Sequence, residues 1–195
     1  MTCVVGIADN GKVWMGADSA AVSGWDTRVS TVPKVFHRGK FLIGYTTSFR
    51  MGQLLQYKLD IIDLETQISQ YETLIEFMVD HFVPEIQTLF SENGFSKIDN
   101  NVEQGGTFLV GLRGELFTIH SDYQVQNCIP PYDAIGCGAN YALGALYITY
   151  KTNSSGNVIR PERIIKESLQ AAATFSNGVE KPFNVLSIGE YNADN

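Results

Sequence analysis

The sequence predicts an α+β fold in which mostly antiparallel sheets carry layers of helices. Segments typical of strands occur in runs, over residues 1–46 and again over residues 107–120. Each run is followed by two segments with apolar residues at helical spacing, over residues 48–90 and 141–175. Runs of strands and runs of helices are typical of α+β proteins, whereas a parallel sheet needs strands and helices in alternation. At 195 residues the chain is long enough for a sizeable core, and we predict a single domain covering residues 1–195.

The first part of the chain is predicted to be sheet. Residues 1–8 form an apolar strand, and the Asn10-Gly11 pair suits a tight hairpin because both residues tolerate positive φ angles. The returning strand, residues 12–17, ends at Asp18. Three further segments are predicted before the first helix: a loop with an exposed Trp25 over residues 20–30, and strands over residues 32–37 and 41–46.

Two helices follow this sheet. Ser48 can cap the first, whose apolar residues continue at helical spacing to Leu59. The second covers residues 72–90, where Pro84 is expected to introduce a kink and Asn93-Gly94 to end the helix. The sequence thus places a pair of helices directly after the first group of strands.

The second half repeats this order. Strands are predicted at residues 107–112 and 115–120, and the unbroken apolar run around Phe108 predicts a strand that is covered on both faces. Pro161 fits the first turn of a helix. The other predicted segments are a loop over residues 95–103, irregular structure over 123–131, helices over 141–151 and 161–175, a loop over 153–157, a strand over 185–188 and a tail over 189–195.

Composition excludes several classes of function. The net charge of −7 and the pI near 4.9 argue against a general affinity for nucleic acid or for anionic membranes. No apolar run approaches the roughly 20 residues that a membrane span needs. The three cysteines are an odd number, and no secretory leader is recognisable, so we expect free thiols in a reducing cytoplasm.

No metal or cofactor is predicted. The three cysteines and the three histidines, His37, His81 and His120, lack the mutual spacing of a metal site or a catalytic triad. The Gly136-Cys137-Gly138 turn precedes a helix, but it lacks the further glycine and the lysine that known phosphate-binding loops contain. We therefore look for catalytic groups elsewhere in the chain.

Thr2 is the first candidate. If Met1 is removed, Thr2 carries a hydroxyl group and a free α-amine on the same residue, and small residues such as threonine favour trimming of a preceding initiator methionine. An α-amine has a pKa of about 7.7–8.0, so it can accept the proton of the hydroxyl near neutral pH. On this evidence alone, the simpler interpretation is that position 2 is an arbitrary residue behind a start codon.

Asp18 and Lys34 join Thr2 in a candidate constellation. A hairpin returns its second strand to the start of its first, so Asp18 comes back beside Thr2, and Lys34 lies in the next extended segment. A lysine near the hydroxyl favours its ionised form, and an aspartate would fix that lysine by pairing with it. An ordinary ion pair at a strand end is the alternative that spacing alone leaves open.

At this point the chain resembles a known family, the proteasome-type N-terminal-nucleophile hydrolases, and is similar to proteasome β subunits and to the bacterial HslV-type peptidases. The resembling stretches are residues 2–6, Asn10-Gly11, residues 16–19, 32–35, 41–45 and 135–144. The resemblance implies a four-layer αββα sandwich of two antiparallel sheets flanked by helices. It also implies that Thr2 is the nucleophile, Lys34 the activating cation and Asp18 the partner of that lysine.

The chain departs from the family at several positions. The family has a serine where Cys137 stands, and that serine supports the α-amine; a thiol is a weaker hydrogen-bond partner. The family also has an Asp and a Ser near the amine, later in the chain. In this sequence Ser176 is the best match to them. The turn that supplies the oxyanion N–H in the family falls at Thr46-Thr47-Ser48, so Thr47 and Ser48 are the candidates.

The resemblance therefore implies a threonine-type endopeptidase. Its partners would be a peptide or an unfolded protein as substrate, further copies of the chain in a closed ring, and an ATPase unfoldase. Two alternatives remain open at this stage. One is a catalytically inactive ring or scaffold protein with the same fold, and the other is a small-molecule amidase.

Overall fold

The structure is a computed structural model that describes residues 1–154 and 160–189. The strands in this part of the chain are β1 (Cys3–Asp9), β2 (Lys12–Ala17), β3 (Ala20–Ser23), β4 (Asp26–Val29), β5 (Val35–Arg38), β6 (Phe41–Tyr45), β7 (Lys97–Asp99), β8 (Val102–Gln104), β9 (Phe108–Leu112), β10 (Glu115–Ile119), β11 (Val125–Asn127), β12 (Tyr132–Gly136) and β13 (Asn184–Gly189). The α-helices are α1 (Phe49–Tyr57), α2 (Ile61–Gln67), α3 (Leu74–Phe77), α4 (Val83–Glu92), α5 (Ala139–Ser154) and α6 (Pro161–Phe175).

The strands form two main antiparallel sheets and two separate hairpins. One sheet has four strands in the order β12-β1-β2-β13, and the other has five in the order β11-β10-β9-β6-β5. The hairpins pair β3 with β4 and β7 with β8. The fold is therefore mixed, with antiparallel sheets and helices, as the order of elements in the sequence predicts.

The hairpin of β1 and β2 has the predicted turn. Asn10 and Gly11 both have positive φ angles, of 49° and 71°. Asp9 pairs with Lys12 next to the turn, and Val4 pairs with Ala17 at the far end. This register brings the residue after β2 back beside the start of β1, where the candidate site lies.

Buried apolar residues fall into three groups that connect the sheets and helices. The first joins the five-stranded sheet to α1–α4, for example through the rings of Phe41 and Phe82, whose centroids are 5.5 Å apart. The second joins β1 and β12 to α5 and α6, and the third joins β1 and β2 to β6 and β9. One face of β1 thus packs on helices and the other on the second sheet.

Some strands and one helix were not expected from the sequence. The segments predicted as loops contain the β3–β4 and β7–β8 hairpins, and the irregular segment contains β11. All four residues of β4 and all three of β7 are exposed, so these strands lack the apolar alternation by which strands are predicted. Trp25 is fully exposed at the tip of the β3–β4 hairpin, as predicted. The missed helix α2 begins at its cap Asp60 and buries only Leu64.

The predicted second helix is irregular in the turn before Pro84. A π-helical turn, Met78–Phe82, separates α3 from α4, and the Val83 N–H donates to the Met78 carbonyl across five residues. Proline cannot donate a backbone hydrogen bond and crowds the preceding turn, and a wider turn accommodates this. The predicted cap Ser48 is confirmed, as are the end of α4 at Asn93 and the position of Pro161.

The last part of the chain differs in small ways. Residues 132–136 form β12, and α5 begins at Ala139 rather than at Tyr141. The first two residues of the loop predicted at residues 153–157 belong to α5, and the others lie outside the described residues. The predicted tail also lies outside the described residues beyond residue 189. In residues 1–154 and 160–189 no helix is both long and apolar enough to cross a membrane.

Candidate active site

Thr2 precedes β1 and is buried, with 6% of its surface exposed. Its hydroxyl donates a hydrogen bond to the carbonyl oxygen of Met1. Its own carbonyl oxygen lies 3.5 Å from the Gly138 N–H nitrogen and 3.4 Å from the Cys137 sulfur, both of which donate to it. The turn before α5 therefore fixes the backbone of the candidate nucleophile through hydrogen bonds to its carbonyl oxygen.

Asp18 lies beside Thr2 because the β1–β2 hairpin returns the chain to this point. The Asp18 N–H donates to the Cys3 carbonyl, and the Cys3 N–H donates to Oδ1 of Asp18 at 2.9 Å. The other carboxylate oxygen accepts the N–H of Ala20 at 2.8 Å and that of Glu180 at 3.3 Å. Three backbone donors thus fix the carboxylate in one orientation.

Lys34 completes the group from the segment before β5. Its Nζ lies 2.9 Å from Oδ1 and 3.0 Å from Oδ2 of Asp18, and both residues are 1% exposed. Burial lowers the pKa of the Lys34 ammonium, while the charge and hydrogen bonds of Asp18 act in the opposite direction. Burial is the larger effect, so this lysine loses its proton more readily than a lysine in water.

The structure thus brings the three predicted residues together at the start of β1. Among the described residues, no hydrogen bond joins Lys34 directly to Thr2. Their connection runs through Asp18, which binds both the Lys34 ammonium and the N–H of Cys3, the residue after Thr2. The buried Lys34 ammonium and the backbone next to Thr2 therefore belong to one hydrogen-bonded group.

The two candidates for supporting the amine also lie here. Cys137 is exposed, and its sulfur accepts a hydrogen bond from the Ser176 hydroxyl at 3.5 Å. Gly178 has no room for a side chain, since a β-carbon there would overlap Met1 and would lie 2.7 Å from the Cys137 sulfur. Met1, 58% exposed, therefore lies against the surface that Cys137 and Gly178 form.

The Thr46-Thr47-Ser48 turn has a distinctive backbone. Thr47 has a φ of 66°, which is uncommon for a residue with a branched β-carbon. The Ser48 N–H donates to the Thr46 carbonyl at 2.7 Å, and its hydroxyl caps α1. The Thr47 N–H has no partner among residues 1–154 and 160–189. Of the two predicted oxyanion donors, only Thr47 has a free N–H.

Gly136 is a residue that sequence reasoning did not single out individually. It has a φ of 97°, and a β-carbon added to it would overlap the Thr2 carbonyl oxygen and would lie 3.1 Å from Oγ1 of Thr46. Only glycine therefore allows the end of β12 to come this close to Thr2. The glycines of the turn were visible in the sequence, but this contact depends on the pairing of β12 with β1.

Asp63, His81 and Glu85 form a cluster outside this site. Their ligand atoms lie within 4.8 Å of one another, and Nε2 of His81 is 3.0 Å from Oδ2 of Asp63. Sequence spacing missed the cluster because its members come from α2 and from the π-helical turn and α4. Exposed acidic groups often cluster in this way without an ion, and a hydrogen bond between His81 and Asp63 holds two of the three residues together.

Two clefts differ in their relation to the site. One of about 670 Å³ lies between Trp14 and the first half of α6 and contains none of the candidate residues. A smaller one of about 430 Å³ is lined by residues that include Thr46, Thr47 and Gly136, and Gly136 lies against the Thr2 carbonyl. We regard the smaller cleft as the relevant one, because Gly136 connects its lining to the candidate nucleophile.

Comparisons with known proteins identify the fold. No protein-family model matches the sequence. Among solved structures, the chain is similar to Thiobacillus denitrificans BPH, with a TM-score of 0.74 and 19% identity over 96% of this chain and 98% of that chain. BPH in complex with epoxomicin gives a TM-score of 0.73 and 16% identity over the same shares. Eukaryotic HslV from Trypanosoma brucei gives 0.68 and 16% over 97% of this chain and 100% of that chain.

These likenesses extend over nearly the whole of each chain. They show that the protein has the fold of the proteasome-like, HslV-type peptidases that its sequence resembles. At 16–19% identity they are evidence for the fold, and the activity has to be argued from the residues of this chain.

Proposed function

We propose that the protein is a threonine-type endopeptidase whose nucleophile is Thr2, exposed once Met1 is removed. The observation that carries the proposal is the buried Asp18 carboxylate, which binds the Lys34 ammonium and the Cys3 N–H at the same time. A buried ion pair costs desolvation energy and is weak evidence for stability. Its position one residue from an N-terminal threonine is what a hydrolase of this kind requires.

In the proposed reaction, the neutral α-amine of Thr2 takes the proton from the Thr2 hydroxyl. The oxygen attacks the carbonyl carbon of the substrate, and Lys34 favours the negative charge that develops on the attacking oxygen. The tetrahedral intermediate then expels the amine of the leaving peptide, which receives the proton. Water hydrolyses the resulting ester on Thr2 and restores the hydroxyl.

Two further roles are assigned within this proposal. The Thr47 N–H stabilises the oxyanion, since the Ser48 N–H donates to Thr46. Cys137, with Ser176 behind it, supports the α-amine from the surface that Met1 covers. This assignment follows from the contact of Met1 with Gly178, since removal of Met1 leaves the new amine facing that surface.

The wider setting is also part of the proposal. The three apolar clusters support a four-layer αββα sandwich within a single domain. By analogy with the fold, we propose a closed homo-oligomeric ring in the cytoplasm, an unfolded protein or peptide as substrate, and an ATPase unfoldase as partner. The acidic net charge argues against nucleic acid as a further partner.

A catalytically inactive ring or scaffold protein is the second candidate. The observation that favours it is Cys137, because a thiol replaces the hydroxyl that supports the amine in the family. A small-molecule amidase would use the same groups on Thr2, and it differs only in what the cleft accepts. Activity towards peptides therefore separates the peptidase from the other two, and activity towards small amides separates the amidase from the scaffold.

Maturation provides the test. With Met1 attached, the Thr2 nitrogen is an amide and cannot act as a base, so protein that retains Met1 should be inactive. We would prepare retained and trimmed forms, verify each by intact mass, and measure hydrolysis of fluorogenic peptide amides. Activity confined to the trimmed form supports the proposal. Equal activity of both forms would overturn the mechanism, and a folded, trimmed protein without activity on peptides would favour the scaffold or the amidase.

A further inference from the structure

The 430 Å³ cleft is lined by residues of β10 and β12. Its lining includes Gly136, which lies against the Thr2 carbonyl and Thr46, and also Thr118, His120 and Asp133. Asp133 belongs to β12 and lies opposite Gly6 of β1, three residues before Gly136. A substrate that extends from Thr2 past Gly136 into this cleft would meet the Asp133 carboxylate.

Asp133 is the acidic residue of this cleft. The lining residues include no lysine or arginine, and His120 is hydrogen-bonded to Gln126 at 2.8 Å. The Asp133 carboxylate accepts hydrogen bonds from the Thr118 hydroxyl, from the Ala134 N–H at 2.8 Å and from the Cys128 thiol at 3.8 Å. All three donors are neutral, so they orient the carboxylate without compensating its charge.

The environment strengthens the effect of this charge. Thr118 is 2% exposed and Asp133 is partly buried, so water screens the carboxylate less than it would at an open surface. In the described part of the chain no lysine, arginine or histidine forms a salt bridge with Asp133. A cationic group that enters the cleft would supply the missing counter-ion, whereas an anionic group would be repelled.

We propose that Asp133 selects substrates with a cationic side chain, arginine or lysine, close to the bond that is cleaved. This inference rests on the proposed peptidase function and extends it by naming the substrate class. The Thr118 hydroxyl acts as a positioning group that holds the carboxylate towards the cleft. The net charge of −7 favours the same substrates at longer range.

Citrulline is a suitable probe because it has nearly the shape of arginine but no charge. Fluorogenic peptides that differ only in arginine, citrulline or glutamate, placed in turn at each position around the scissile bond, isolate the effect of charge. At one position we expect kcat/KM for arginine to exceed that for citrulline by about 10-fold or more, with glutamate below both. The ratio should fall as the salt concentration rises.

Asp133→Asn is the decisive variant. Its carbonyl oxygen can still accept the Ala134 N–H, and the Thr118 hydroxyl can turn to accept from the new amide, so the variant is expected to fold. The arginine-to-citrulline ratio of kcat/KM should fall to about 1. Asp122→Asn, an exposed residue in the turn after β10, is the matched control and should leave the ratio unchanged.

Binding separates this inference from the proposed function. In Thr2→Ala protein, which cannot turn over, fluorescence anisotropy should show tighter binding of the arginine peptide than of the citrulline peptide, and Asp133→Asn should remove the difference. Absence of hydrolysis by the Met1-free wild-type protein, together with this difference in binding, would refute the peptidase and retain the cation site. Equal binding of both peptides, or a preference that survives in Asp133→Asn, would overturn the inference about Asp133.

Discussion

The Nζ of Lys34 contacts both carboxylate oxygens of Asp18, at 2.9 and 3.0 Å, and almost no surface of either residue is exposed to solvent. Nothing in the local sequence requires a lysine to be buried at the end of a sheet. The pair is held by backbone donors from three separate segments, at Cys3, Ala20 and Glu180. Burial of the Asp18–Lys34 pair costs desolvation energy, and we attribute the presence of the pair to the proposed catalysis at Thr2.

Lys34→Ala should therefore impair both stability and activity. Removing one partner leaves the Asp18 charge buried, and we expect a loss of about 3–5 kcal/mol in the free energy of unfolding. The kcat/KM of the remaining folded protein should fall by about 100-fold or more. Denaturant unfolding and peptide hydrolysis measure the two effects.

Lys166→Ala is the control for this prediction. Lys166 pairs with Glu162 at 2.6 Å on the exposed face of α6, where an ion pair contributes at most about 0.5 kcal/mol. A Lys34→Ala variant as stable and as active as Lys166→Ala would show that the buried pair has no role in the site.

The titration of Lys34 should differ from that of the exposed lysines. Burial lowers its pKa, so the unfolded chain holds this proton to higher pH than the folded protein does. Between the two pKa values the contribution of Lys34 to the free energy of unfolding therefore rises with pH. NMR titration of ¹³C-labelled lysine, with Lys34→Arg for assignment, should show Lys34 titrating below the others.

Asp18→Asn sharpens this test. Because the attraction of Asp18 raises the pKa of Lys34, the variant should move the titration of Lys34 to still lower pH. An Lys34 signal that titrates with the surface lysines, or that does not move in the variant, would contradict the description of a buried, coupled pair.

Gly136→Ala should displace Thr2. Alanine at a φ of 97° is strained, and its β-carbon would overlap the Thr2 carbonyl oxygen. We expect a loss of about 1–3 kcal/mol in the free energy of unfolding and a large loss of activity.

Gly144→Ala in α5 is the matched control, because a β-carbon there has no neighbours within 4 Å. That change should stabilise the helix by up to about 1 kcal/mol. Equal behaviour of the two variants would refute the proposed role of Gly136.

The three thiols should react in a defined order. Cys137 is exposed, whereas Cys3 is fully buried and its pKa is raised to about 12, mainly by desolvation. Burial also raises the pKa of Cys128. Iodoacetamide should therefore modify Cys137 first and block the site, as peptide mass mapping and residual activity would show.

Cys137→Ser is the control variant. It should resist inactivation by iodoacetamide and keep at least the original rate of peptide hydrolysis. Full activity after complete alkylation of Cys137 would contradict its position beside the amine.

The sequence could predict the parts of this structure that depend on local patterns. The Asn10-Gly11 turn sets the hairpin, and the hairpin places Asp18 beside the start of β1, so two members of the site follow from turn chemistry. The exposed hairpins and α2 escaped prediction because they bury little apolar surface. Their formation depends on strand pairing and on the cap Asp60.

Long-range contacts account for the rest of what was missed. The donation from Glu180 to Asp18 spans 162 residues, and the approach of Gly136 to Thr2 depends on the pairing of β1 with β12. The free N–H of Thr47 depends on a backbone conformation that a threonine seldom adopts. Such features follow from the assembled sheets, and no pattern in the sequence around them indicates their geometry.

The most direct test of the central claim is hydrolysis of fluorogenic peptide amides by Met1-free wild-type protein and by its Thr2→Ala and Thr2→Ser variants. Alanine and serine are both small enough for Met1 to be trimmed, which intact mass would verify, and circular dichroism would verify folding. We expect Thr2→Ala to lose activity by on the order of 10³-fold or more, and Thr2→Ser to retain a measurable part, because it keeps the hydroxyl and the amine. A folded, Met1-free Thr2→Ala protein that hydrolyses peptides at the wild-type rate would contradict the account.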